Sequence, residues 1–203
     1  MKIMRSIGWS AAVALATTTL AHAGALTVVE VAAPAVNCVF RTNCILPVTD
    51  SSSPIPLNFS AGAPFLQSRT FTGTAGAPGA ALTGYEYRVD MRTAAGAVEC
   101  QLGLVVDFGP IVKLPYKGGS NADVYVVTQG GLGTVKIKSA EQDGSVVTFA
   151  FSKPMCVGIN PGQGESTFFF GMASAKPPHA VDAGMWGYGT PAFISLPARA
   201  PNH

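Results

Sequence analysis

The sequence predicts an all-β fold, a single antiparallel β-sandwich of jelly-roll or immunoglobulin-like type that is stapled by disulfides. Apolar and polar residues alternate over many short stretches, and 23 glycines and 15 prolines fall between these stretches. No window of about 11 residues carries the apolar stripe of a helix. Many short strands separated by Gly and Pro turns are typical of sandwiches, and a closed barrel is the alternative.

The N-terminus predicts a secretory signal over residues 1–23. Lys2 and Arg5 precede an apolar run over residues 7–20, and the small-x-small triplet Ala21-His22-Ala23 follows. This is the pattern of a cleaved export signal, and the apolar run is shorter than the roughly 20 residues that span a bilayer. We therefore expect a secreted protein, periplasmic or extracellular, with one domain over residues 24–199 and a frayed tail over residues 200–203.

The composition limits the partners of the mature chain. Removing Lys2 and Arg5 from the 13 basic residues leaves 11, against 11 acidic residues, so the mature chain is formally neutral. Nucleic-acid binding needs clustered Lys and Arg, which this chain lacks. Charged residues make up 12% of the chain, about half the usual share of roughly 25%. So weakly charged a surface favours self-association, or a polysaccharide or cell-surface partner. No later segment predicts a membrane span, and no cofactor is predicted.

The stretch GYEYRVDMRT, residues 84–93, alternates apolar side chains with charges of alternating sign. The apolar members are Tyr85, Tyr87, Val89 and Met91, and the charged row is Glu86, Arg88, Asp90 and Arg92. The next stretch, residues 97–108, alternates with opposite parity, which predicts a hairpin turning at residues 93–96. Met91 opposite Cys100 is the favoured register, because Met91 opposite Val98 would set Asp90 against Glu99. The charged row is predicted to face solvent.

A second hairpin is predicted between residues 134–139 and 145–152. A two-residue Asp-Gly turn would set Ile137 opposite Ala150 and mismatch the faces. A three-residue loop over residues 142–144 sets Ile137 opposite Phe149 instead, with Gly144 at positive φ. Further strands are predicted at residues 26–31, 44–48, 64–72, 123–128, 167–173 and 192–196. Residues 74–79 and 176–184 are predicted to be the loosest loops.

Four cysteines in an exported chain predict two disulfides. Three pairings are possible, and the short spacing of Cys38 and Cys44 favours that bond, which leaves Cys100 with Cys156. A metal site is disfavoured because the chain has no CxxC motif and no histidine near these cysteines.

Few residues are suited to acid–base catalysis. Glu86 and Asp90 share a strand face, but four residues of strand separate them by roughly 13 Å, more than paired glycosidase carboxylates use. Asp90 and Glu99 are the best carboxylate pair, and they approach only in the disfavoured register. His179 lies in a Pro-rich loop, and no GxSxG elbow accompanies it. We therefore assign no catalytic and no metal residues.

The stretch GMWGYGTPAF, residues 184–193, holds the candidate binding residues Trp186 and Tyr188. Rings presented on a sheet face stack on sugars or contact an apolar partner, and the competing interpretation is that both rings close the core. The leading hypothesis is a secreted, non-catalytic β-sandwich that acts through surface contact as a structural, adhesive or matrix component. A carbohydrate- or ligand-binding module is the first alternative, and a secreted hydrolase that uses Asp90 and Glu99 is the second.

Overall fold

Two six-stranded β-sheets pack face to face in a computed structural model of the chain, which describes residues 23–116, 121–189 and 193–203. This confirms the predicted sandwich. The signal segment lies outside the described residues except for Ala23. The elements in chain order are β1 (Gly24–Ala25), β2 (Val28–Ala32), α1 (Ala33–Phe40), β3 (Thr49–Pro54), β4 (Ala61–Gly62), β5 (Phe65–Thr72), β6 (Thr83–Asp90), β7 (Ala94–Ala95), β8 (Cys100–Asp107), β9 (Leu114–Pro115), β10 (Asn121–Ala122), β11 (Val124–Gln129), β12 (Ile137–Asp143), β13 (Val146–Cys156), β14 (Phe169–Ser174), β15 (Pro178–Tyr188) and β16 (Phe193–Pro201).

The two sheets, which we call sheet 1 and sheet 2, differ in strand order. Sheet 1 has the order β1-β12-β13-β8-β15-β16, and sheet 2 has the order β2-β11-β14-β6-β5-β3. All pairings in the two sheets are antiparallel except that of β2 with β11. The segment from β1 to β2 therefore crosses from an edge of one sheet to an edge of the other.

The core between the sheets is built from the apolar face of each strand. Tyr85 and Tyr87 of β6 are fully buried there, and the Tyr85 ring meets Phe108 edge-on at 5.2 Å. Phe149 of β13 packs against Phe170 of β14 at 4.9 Å, across the interface between the sheets. Period-two alternation thus places the predicted apolar residues inside, as expected for half-buried strands.

The predicted hairpin between residues 84–93 and 97–108 is wrong. β6 lies in sheet 2 between β5 and β14, whereas β8 lies in sheet 1 between β13 and β15. Met91 and Cys100 are therefore not strand partners, and Cys100 pairs with Cys156. The two apolar faces do meet, but they do so by packing across the core, which satisfies the parity of the side chains as well as a hairpin does.

The second hairpin forms with a shorter loop than predicted. Asp143 pairs with Val146, so the turn has two residues, Gly144 and Ser145. An irregularity between Ile137 and Ser139 then shifts the register and sets Ile137 opposite Phe151 instead of Phe149. The predicted positive φ of Gly144 is confirmed at 58°, because a glycine at the first central position suits a type II′ turn. The bulge restores the face matching that a two-residue loop alone would lose.

Several predicted strands are confirmed, and others are corrected. Strands occupy most of residues 64–72, 123–128 and 167–173, but residues 44–48 form no strand. The segment 176–184, predicted to be loose, belongs mainly to β15. The predicted fraying of residues 200–203 is wrong for Ala200 and Pro201, which are buried at the end of β16, and the His203 imidazole lies 3.0 Å from the Asp107 carboxylate.

Helix α1 was not predicted, because its eight residues are shorter than the window in which a helical stripe was sought. A proline lies in its first turn, where the missing N–H costs nothing. Val36, Val39 and Phe40 are buried on one face at helical spacing. The helix packs on the outer face of sheet 2, in a second apolar cluster with Tyr125 and Phe169.

Both predicted disulfides are present. Cys38 in α1 bonds to Cys44, and Cys100 of β8 bonds to Cys156, its direct neighbour on β13. Among the described residues, no helix is long and apolar enough to cross a membrane.

Candidate functional site

The charged row of β6 lies on the outer face of sheet 2, in the middle of the sheet. At the level of Glu86, one row of register partners runs across five strands. It consists of Tyr125, Gly171, Glu86, Arg69 and Asp50. Gly171 has no side chain, and the Tyr125 hydroxyl occupies the space above it, 2.7 Å from where a Cβ would stand. The tyrosine therefore reaches across β14 towards Glu86.

The prediction that the charged row of β6 faces solvent is wrong for Glu86, Arg88 and Asp90, whereas the Arg92 side chain next to the end of β6 is 41% exposed. Glu86 and Arg88 are each 6% exposed and Asp90 is 2% exposed. Helix α1 and the loop that follows it lie over this face near Glu86. Strand alternation identifies two faces but does not show whether another element covers the polar one.

Most charges in the charged row of β6 and in the cross-strand row form ion pairs. Arg69 Nε lies 2.7 Å from Asp50 Oδ1, and its guanidinium stacks over the Phe169 ring at 4.0 Å. Asp90 Oδ2 lies 3.1 Å from Arg88 Nη1 and 2.6 Å from Arg92 Nη2. A buried carboxylate held by two arginines is structural, because its oxygens are already committed to charge-assisted hydrogen bonds.

Glu86 differs from these carboxylates, because the described residues offer it no ion pair within 4.0 Å. Burial raises the pKa of Glu86 to about 7, although the charge of Arg69 and the nearby Tyr125 hydroxyl oppose the shift. The Tyr125 hydroxyl itself is buried without meeting full hydrogen-bond geometry to any group. Glu86 is therefore a buried carboxylate with a raised pKa and without an ion pair among the described residues.

A cavity of about 310 Å³ opens above Glu86 and Arg69. Its walls come from α1, from the loop after it, from β11 and β14, and from the loop after β11, and polar and apolar atoms share its surface about equally. The walls include Val36, Leu46, Val48, Val127, Leu132 and Phe169. Val48 and Leu132 are exposed and form the rim. A cavity that combines apolar side chains with a few charged groups on its floor is the usual form of a small-molecule site. The sequence signal for it was the charged row itself, interpreted above as a solvated face.

The predicted carboxylate pair, Asp90 and Glu99, is not arranged for proton transfer. Burial acts to raise the pKa of each, but hydrogen bonds outweigh it and lower both pKa values below the ordinary range. For Asp90 the donors are on Arg92, and for Glu99 they are backbone N–H groups of the loop at residues 58–60. The His179 ring lies 3.1 Å from the Ala200 carbonyl, which anchors it to β16.

The two predicted binding aromatics lie on sheet 1, away from this cavity. Trp186 is half-buried on the outer face, and its ring lies across Gly103, 1.9 Å from where a Cβ would stand. Its cross-strand partner Phe193 is 61% exposed, and that ring lies across Gly184. The two rings therefore lie over neighbouring strands, that of Trp186 over β8 and that of Phe193 over β15. We call Trp186 and Phe193 the aromatic pair.

Tyr188 does not join the aromatic pair. It is 46% exposed, and its hydroxyl lies 3.8 Å from Cys156 Sγ beside the second disulfide. A register irregularity between Trp186 and Gly187 separates Tyr188 from the regular strand. Phe193 lies in the same aromatic stretch but was not predicted as a binding residue, because its pairing with Trp186 is seen only in the register of β15 with β16.

The described part of the chain holds no group of three or more His, Cys, Asp or Glu side chains that could bind a metal ion. Comparison of the chain with protein-family models, with curated proteins and with solved structures finds no match, so the site stands on its own geometry.

Proposed function

We propose that this chain is an exported, non-catalytic β-sandwich that acts through surface contact, with the outer face of sheet 1 as its contact surface. The export signal and the two disulfides support an oxidising compartment. The observation that carries the contact surface is the aromatic pair, which combines a largely exposed Phe193 with a half-buried Trp186.

The glycines beneath the aromatic pair favour this surface. A ring lying across a glycine is held against the backbone and loses little conformational freedom when a partner covers its other side. Aromatic residues are enriched at protein contact sites for this reason and because of their large apolar area. The low and balanced charge of the chain gives little repulsion between two copies of it, which favours self-association through this surface.

A polysaccharide is the second candidate partner, and the placement of the rings supports it. Two neighbouring rings on an open sheet face give a platform on which successive sugar units could stack. Nearby strands of sheet 1 carry small polar side chains that are exposed, such as Thr148 on β13 and Ser195 on β16. A hydrolase is less favoured, because Asp90 and Glu99 are held as ionised structural groups.

The test uses the emission of Trp186, which is the only Trp left once residues 1–23 are removed. Soluble glucan, chitin fragments and peptidoglycan fragments are titrated against the mature protein, and self-association is followed by sedimentation. We expect at least one of these to shift Trp186 emission or the sedimentation coefficient. Phe193→Ala should weaken that response without changing the denaturant midpoint.

The matched control is Ile45→Ala, which removes another highly exposed apolar side chain, in the loop after α1 next to the cavity over sheet 2. It should leave both responses unchanged. Equal loss in the two variants would show that the responses follow general surface hydrophobicity, and the assignment of the contact surface would then be wrong.

A further inference from the structure

The cavity over sheet 2 has its own binding chemistry, separate from the contact surface on sheet 1. Its floor holds Glu86, which is only 6% exposed, and Arg69 beside it. We propose that this cavity binds a small apolar amine, whose ammonium group pairs with the Glu86 carboxylate while its apolar body contacts Val36, Val127 and Phe169.

Charge balance selects an amine over an acid. Arg69 is already neutralised by Asp50 at 2.7 Å, and its guanidinium is stacked on Phe169. Glu86 is the carboxylate of the row without an ion pair among the described residues. A bound ammonium supplies both the missing positive charge and N–H donors, whereas a bound carboxylate would add a second negative charge beside Glu86. Burying an unpaired charge is costly unless a partner compensates it.

Size and lining define the rest of the ligand. At about 310 Å³, the cavity is at the small end of the range for ligand sites. One aromatic ring or a short branched alkyl chain on the amine matches this space and the aliphatic walls. The exposed rim residues Val48 and Leu132 give such a ligand an apolar entrance.

The groups around Glu86 make amine binding depend on pH in a specific direction. They are Arg69 on β5, Asp50 on β3, Tyr125 on β11 and Tyr116 after β9, while α1 adds the uncharged Asn37. Burial raises the pKa of both tyrosines, so they stay neutral. An ammonium favours ionised Glu86, so binding below about pH 7 must release a proton, and affinity must rise with pH up to that value.

The experiment is calorimetric titration of the mature protein with phenethylamine, and with phenethyl alcohol and phenylacetate as neutral and anionic analogues of similar size. We expect the amine to bind at least about tenfold more tightly than either analogue near pH 8. Near pH 6, two buffers of different ionisation enthalpy should reveal the release of nearly one proton per amine bound.

Variants locate the effect. Glu86→Gln keeps the shape of the side chain and should remove both the amine preference and the proton release, leaving weak, equal binding of amine and alcohol. Glu30→Gln alters a carboxylate on β2 that is paired with Lys136 at the surface and should bind like the wild type. Trp186→Ala should also leave amine binding unchanged, which separates this site from the contact surface.

Four results would overturn the proposal. They are tighter binding of phenylacetate, equal binding of amine and alcohol to the wild type, amine preference retained in Glu86→Gln, and no detectable binding of any probe at millimolar concentration. If Glu86→Gln did not fold, the proton release measured on the wild type would still decide, because no other group facing the cavity predicts it.

Discussion

Replacement of Glu99 by glutamine tests the strongest local constraint in the fold. The Glu99 side chain is fully buried next to the start of β8. Its Oε1 accepts a hydrogen bond from Asn58 N at 2.5 Å, and its Oε2 accepts from Phe59 N at 3.2 Å and Ser60 N at 2.7 Å. One carboxylate therefore holds three successive backbone N–H groups of the loop between β3 and β4.

The expected loss follows from these three bonds. Glutamine offers one oxygen, which can keep the bonds to residues 59 and 60 in a weaker, neutral form, and its NH₂ group then faces Asn58 N. Hydrogen bonds to a charged group contribute about 1.5–3 kcal/mol and neutral ones about 0.5–1.5 kcal/mol. One bond lost and two weakened, with the loop partly exposed, give a destabilisation of about 2–4 kcal/mol.

The measurement is urea unfolding of Glu99→Gln and of the control Glu141→Gln, which alters an exposed carboxylate on β12. The control should unfold like the wild type. The low pKa of Glu99 gives a second test, in the pH dependence of the free energy of unfolding. The stability that ionised Glu99 contributes is present above the unfolded pKa of about 4.3 and is lost as pH falls through the folded pKa. The stability of Glu99→Gln should therefore fall less in acid than that of the wild type. If Glu99→Gln changed the free energy of unfolding by less than about 0.5 kcal/mol at neutral pH, the three hydrogen bonds of Glu99 would not stabilise the fold as argued.

Three further predictions concern separate parts of the chain. Gly144→Val should destabilise by about 1–2 kcal/mol through positive φ alone, because a Cβ there meets no atom within 4 Å; an unchanged urea midpoint would contradict this. Removing Cys100 and Cys156 together should cost about 4 kcal/mol, against about 2.5 kcal/mol for Cys38 and Cys44, because the first ring is longer; equal losses in urea melts would exclude the chain-entropy account. Stability should fall between about pH 4.5 and 7 as Glu86 loses its proton, since its folded pKa of about 7 lies above the unfolded value; Glu86→Gln should lack this slope in melts across that range.

The strands were largely predictable because their inner residues alternate without interruption. Tyr85, Tyr87 and Val89 are all buried, as the alternation requires. Which strands pair with one another was harder to predict from the sequence, since apolar faces match equally well within one sheet and across two packed sheets. The disulfides escaped this ambiguity, because close spacing in sequence selected Cys38 with Cys44 and left one remaining pair.

The candidate site was only partly predictable. Trp186 and Tyr188 were singled out by residue type, but the glycines that hold Trp186 and Phe193 become visible only once β8, β15 and β16 are neighbours. The charged row was found and misassigned to solvent. Its cover, helix α1, is short and lies far from β6 in sequence, so no local pattern around Glu86 could reveal the burial that shifts its pKa.

The crossing of the first two strands between the sheets has a consequence for the timing of folding during synthesis. Gly24 pairs with Gln142, and Val28 pairs with Val124. β1 and β2 therefore cannot pair with their native partners until about a hundred further residues have been synthesised. Folds governed by such distant contacts form slowly. The N-terminal segment therefore stays without its native partners through more than half of the synthesis of this sequence, and under the proposed export it would be accessible to a pathway that carries unfolded polypeptides.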